Sequence, residues 1–149
     1  MKRSIGWTVL AVLAGIGISA CSEGSTEAAD EGPAAIVEEV AGTELHRLTL
    51  TDRAAQRLDI QTATVAEDAS AGAATRTIPY SALVYTADGN TWTYTNPEAL
   101  VFVRQAVTVD HITGDVAFLS DGPEPGTVVV SVGVAELYGT ELGVGGDGH

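Results

Sequence analysis

The 149-residue sequence predicts a mainly β fold, a small β-barrel or β-sandwich-like domain with one short helix. Three observations predict it. From Thr77 to Val132 the chain is a series of short β-prone runs separated by turn clusters. Only one stretch, Thr51 to Leu58, combines a helix-capping residue with helical spacing of apolar side chains. No heptad pattern occurs that would build a long helix or a coiled coil. Residues 45–143 are enough for one modest hydrophobic core.

Taken in order, Glu44 to Leu50 alternates, with Leu45, Arg47 and Thr49 against His46, Leu48 and Leu50, the two-residue period of a strand. Thr51 can accept a hydrogen bond from a free N–H of the first helical turn, and Asp52 complements the positive end of the helix. Ala54, Ala55 and Leu58 give that helix a small apolar face. Ile60, Thr62, Thr64 and Val65 return to β-prone residues, and Glu67 to Ala74 reads as a short linker.

Thr77-Ile78-Pro79-Tyr80 then leads into Ala82 to Tyr85, and Asp88-Gly89-Asn90 is a hairpin turn into Thr91 to Thr95. Asn96-Pro97 is expected to break that strand. Leu100 to Asp110 alternates with Val101, Val103, Val107 and Val109 on one face, and Gly114-Asp115 turns it into Val116 to Leu119. After the rigid turn Asp121-Gly122-Pro123-Glu124-Pro125-Gly126, Thr127 to Val132 is a β-branched run suited to a buried strand. Two helical turns fit Ala135 to Tyr138, and residues 144–149 read as a flexible glycine-rich tail.

The N-terminus has a different character. Lys2 and Arg3 precede an uncharged apolar stretch from Ile5 to Ile18 that ends in Ser19-Ala20-Cys21. This is the layout of an export signal, and it falls short of the roughly 20 apolar residues that span a bilayer. Ile18-Ser19-Ala20-Cys21 resembles the lipobox of bacterial lipoproteins. The resemblance implies that residues 1–20 are a cleaved signal peptide and that Cys21, the only cysteine, carries the lipid. An ordinary secretory signal with an incidental cysteine is the competing reading. Each buried methylene of an acyl chain contributes about 0.8 kcal/mol, so two or three chains would hold the protein on a membrane. The expected location is the cell envelope, extracytoplasmic and membrane-anchored by lipid. Residues 21–44 carry seven acids and no basic residue and are expected to form a disordered acidic tether.

Charge excludes several functions. Residues 1–20 hold two cations and no acid, so their removal takes the net charge from −13 to −15. The remaining fixed cations are Arg47, Arg53, Arg57, Arg76 and Arg104, which form no basic patch for nucleic acid. Anionic headgroups are equally unattractive to such a chain. Catalysis finds no support either. Ser81, Ser120 and Ser131 lack a G-x-S-x-G setting, and no glycine-rich phosphate or dinucleotide loop follows a strand. The chain is therefore expected to be non-enzymatic and free of cofactors.

His46, His111 and His149, with Asp110 and Asp147 nearby, are the candidates for a divalent metal. They are scattered, and the expectation is surface histidines with no metal site. Tyr80, Tyr85, Trp92, Tyr94, Phe102 and Phe118 serve either a core or an interface. The interface candidates are Arg76, Tyr80, Trp92, Tyr94 and Arg104, the arginines because cations are rare on this acidic chain.

Two stretches carry a wider resemblance. The first is Leu48 to Val65, LTLTDRAAQRLDIQTATV. The second comprises Arg76-Thr77-Ile78-Pro79-Tyr80-Ser81-Ala82-Leu83-Val84, Thr91 to Thr95, Phe102 to Val109 and Gly126 to Gly133. Their order and spacing resemble the periplasmic adaptor subunits, or membrane-fusion proteins, of RND-type efflux pumps. In those adaptors the second stretch belongs to the membrane-proximal domain. The family places a lipoyl-like domain, a long helical hairpin and a β-barrel between the two, where this chain has only residues 66–75. It also lacks the methionines of heavy-metal adaptors, since Met1 is its only one.

The resemblance implies a lipid-anchored, non-enzymatic accessory or truncated adaptor subunit that contacts a transporter or a full-length adaptor. The alternatives are a small-ligand or divalent-metal-binding envelope lipoprotein and a remnant of a longer adaptor. The adaptor reading requires residues 45–66 and 75–143 to pack together as one module.

Overall fold

Two adjacent valines organise the domain. Val129 and Val130 are both fully buried, yet neighbouring residues of a strand point to opposite faces, so this strand must have a core on each side. A computed structural model describes residues 32–69 and 74–144 and shows that arrangement. Residues 1–20 (the expected export signal), Cys21, His149 and the tail from residue 145 lie outside the described residues.

The strands are β1 (Ala35–Glu39), β2 (His46–Leu50), β3 (Gln61–Thr64), β4 (Ala66–Asp68), β5 (Thr75–Pro79) and β6 (Val84–Tyr85). They continue as β7 (Thr91–Glu98), β8 (Val101–Ala106), β9 (Thr108–Thr113), β10 (Val116–Asp121) and β11 (Val128–Val132). Two α-helices, α1 (Asp52–Arg57) and α2 (Val134–Glu141), and a 3-10 turn at Tyr80–Ala82 complete the described elements. The larger sheet runs β1-β2-β8-β7-β11-β3 with β6 on β7, and the smaller runs β4-β5-β10-β9. Neither path closes into a barrel, so the mainly β, sandwich-like expectation is met in its open form.

One core gathers Leu48, Leu50, Tyr94, Phe102 and Val130 of the larger sheet with Ala54 of α1 and Val134 and Leu137 of α2. The other gathers Val65, Ile78, Ala117 and Leu119 with Val107 and Val129. The helices thus cover one face of β11, and the smaller sheet supplies the wall of the other.

Local chemistry explains most boundaries. Thr51 Oγ1 accepts from the Ala54 N–H at 3.2 Å, the expected N-cap. α1 closes at Leu58, whose N–H reaches Ala54 O, and Asp59 turns the chain away in a left-handed conformation with φ 48°. Gly133 caps α2 at φ 87°, where an added Cβ would overlap Ile60 Cδ1.

Four expectations are corrected. Residues 35–39 are not part of a loose tether but an edge strand, because β2 supplies partners for their backbone from Ala35↔Leu50 to Glu39↔His46. Glu67 and Asp68, expected in the linker, belong to β4, which pairs with β5 from Ala66↔Thr77 to Asp68↔Thr75. Asn96-Pro97 does not end β7. A bulge absorbs it, and Asn96 Nδ2 donates to the carbonyls of Glu98 and Val101 at 2.7 and 2.8 Å. Finally, Leu100 to Asp110 is two strands in different sheets, split at Val107, which is buried in the second core and whose N–H bonds Thr91 O.

Candidate interaction site

The tight hairpin of β7 and β8 places Tyr94 opposite Arg104 and puts Trp92 two residues away on the same face. The guanidinium carbon of Arg104 lies 4.4 Å from the Trp92 ring centroid and 5.7 Å from that of Tyr138 on α2. Its Nη2 is 3.1 Å from Glu141 Oε1 at the end of the same helix. The two side chains are only 14 % and 1 % exposed.

Glu141 is shared further. The Tyr94 hydroxyl donates to Oε2, and His46 Nδ1 of β2 lies 3.4 Å from Oε1. Burial, then the hydrogen bond to Glu141 and the charge of that carboxylate, push the Tyr94 hydroxyl far above the usual tyrosine range. One carboxylate therefore collects contacts from β2, β7 and β8. It fixes α2 on the sheet with its charge balanced by Arg104. Arg104 Nε and Trp92 Nε1 are buried without a partner among the described residues. The ion pair, hydrogen bonds and ring contacts tie α2 to β2, β7 and β8, so the arrangement acts as a clamp.

The interface candidates separate accordingly. Tyr94 is fully buried and presents no surface, which corrects its assignment. Arg104 is turned inward and Trp92 packs against the first core. Arg76 lies on the smaller sheet, where its Nη2 meets Glu124 at 2.7 Å. Tyr80 stands exposed after β5. Glu141 and Tyr138 were not singled out from sequence. The signal was present in the spacing of Val134, Leu137 and Glu141, which puts the acid on the buried stripe of a helix.

His46 and His111 do not converge. His46 belongs to the clamp, while His111, on β9 of the other sheet, stacks on Phe118 at 4.3 Å and meets Asp110 Oδ2 at 2.8 Å. Among the described residues no three His, Cys, Asp or Glu side chains group as metal ligands.

A groove of about 460 Å³ opens beside the helices. β1 contributes Ala35 and Val37, β2 contributes Leu50, α1 contributes Ala54 and Arg57, and α2 contributes Thr140. Gly143 also lines it, and its neighbours Leu142 and Val144 are exposed. No protein-family model, no curated protein and no solved structure matches the chain.

Proposed function

We propose that this chain is a lipid-anchored, non-enzymatic accessory or truncated adaptor subunit that acts in the cell envelope by contact with an RND-type efflux transporter or a full-length adaptor. The observation that carries the reading is that its two adaptor-like stretches pair directly with each other. β2 joins β8 from Arg47↔Val103 to Thr49↔Val101, and β3 joins β11 from Thr64↔Val128 to Gln61↔Val132. β4 and β5 bridge the remaining gap as an antiparallel pair. A module that closes on itself in this way has no need of the domains that separate these stretches in a complete adaptor.

Contact, not chemistry, is the mode of action that fits the side chains. The buried Glu141 is spent on Tyr94 and Arg104 and the buried Thr93 on the Ala82 carbonyl, while Tyr80, Arg76 and the groove are accessible. Among the described residues no helix is long and apolar enough to cross a membrane. The attachment proposed is the lipid on Cys21, which the lipobox resemblance of Ile18-Ser19-Ala20-Cys21 supports.

The test is gentle detergent extraction of the chain with its own signal, followed by affinity purification. Co-purification of a transporter or adaptor in fixed ratio is expected. Recovery as a free monomer refutes the partner, and an unmodified Cys21 by mass spectrometry refutes the anchor.

A further inference from the structure

Arg57 stands apart from the other described arginines. Arg47, Arg76 and Arg104 each face a carboxylate, at 3.9, 2.7 and 3.1 Å, and Arg53 is engaged as well. Arg57 has no carboxylate partner among the described residues and is exposed in the last turn of α1. A cation there complements the negative end of the helix, but that effect uses none of its five N–H donors. Among the described residues Arg57 is also the one charged side chain lining the groove, on a chain whose net charge is −13.

The remaining wall is apolar where it matters. Val37, Leu50, Ala54 and Leu58 offer hydrocarbon, and the hydroxyl of Thr140 is already spent on Glu136 O at 2.8 Å. A volume of about 460 Å³ lies in the range of small-molecule sites, which are mostly apolar with a few polar groups to fix orientation. An occupant must therefore place hydrocarbon along the wall and one anionic group at the guanidinium. A cationic amphiphile is repelled there, and a neutral one leaves the arginine unused.

We propose that this groove is a binding site for a single-chain alkyl carboxylate, its head held by Arg57 and its chain lying along Val37, Leu50, Ala54 and Leu58. The site stands independently of the adaptor reading, because ligand binding and co-purification are separate measurements.

The test uses residues 21–149 with Cys21→Ser, in buffer without detergent. The protein is titrated with dodecanoate and with dodecyltrimethylammonium by calorimetry and amide NMR. Saturable binding of dodecanoate is expected, with shifts at Ala54, Leu58 and Gly143. The cationic surfactant should bind more weakly by about ten-fold or more, the worth of a charge-assisted hydrogen bond. Arg57→Gln, at an exposed position, should lower dodecanoate binding to the level of the cation. Val37→Trp should fill the groove and block it. No saturable dodecanoate binding below millimolar concentration, equal binding of the two surfactants, or an Arg57→Gln variant that binds as the parent does would each overturn the proposal.

Discussion

Replacing Glu141 with alanine tests the clamp most directly. The change leaves the Arg104 guanidinium, 14 % exposed, without its anion and the buried Tyr94 hydroxyl without its acceptor. Breaking a buried ion pair from one side costs about 3–5 kcal/mol, and an orphaned buried hydroxyl costs about 1–3 kcal/mol. The remaining exposure of Arg104 lets water recover part of this, so the expected loss is about 4 kcal/mol. For a domain of this size that lowers Tm by roughly 15–25 °C, a large share of the about 5–15 kcal/mol that holds a typical domain folded.

The partner variant decides the mechanism. Arg104→Met with Glu141→Leu removes both charges while keeping an unbranched side chain between Trp92 and Tyr138. It should recover the ion-pair share of the loss, because a buried pair exchanged for apolar groups is often neutral in stability, while the Tyr94 hydroxyl stays without its acceptor and keeps its share of about 1–3 kcal/mol. Urea denaturation followed by Trp92 fluorescence reads the change at the site, since Trp92 is the only tryptophan after residue 20. A loss below about 1 kcal/mol for Glu141→Ala, or a double-mutant cycle with no coupling, would refute the reasoning.

Three further outcomes follow from the same geometry. Because Tyr94 is held protonated in the fold, only the unfolded chain gives up that proton above pH of about 10, so stability should fall there by about 1.4 kcal/mol per pH unit. Comparison with Tyr94→Phe across pH 8–11 measures it, and identical slopes would count against it. Thr51→Ala removes the side-chain cap of α1 and should cost about 1 kcal/mol in urea denaturation. Gly133→Ala forces a side chain into a left-handed position and against Ile60, so its loss should exceed about 1 kcal/mol; a neutral result would mean that α2 starts elsewhere.

The sequence was most informative where pattern and chemistry are local. The alternation of β2, the Thr51 cap, the hairpin turns and the buried run of β11 all depend on neighbours within a few residues. β1 was illegible because Ile36 and Val37 sit among acids and become a strand only when β2 places Arg47 and His46 opposite Glu38 and Glu39. The sheet change at Val107 was hidden for a related reason. Alternation continues through it, and periodicity records which face a side chain takes, not which sheet it belongs to. Trp92, Tyr94 and Arg104 were legible only as interface candidates beside Arg76 and Tyr80, because the buried partner of Tyr94 and Arg104, Glu141, lies far along the chain.

The double burial of β11 has a consequence for how the molecule fails. Val129 and Val130 lend one strand to two hydrophobic interiors, so neither interior can melt while the other keeps its wall. Loss of order should therefore be all-or-none. Amide exchange should be slowest along Val128–Val132, and a polar residue at either valine should weaken both halves of the domain together.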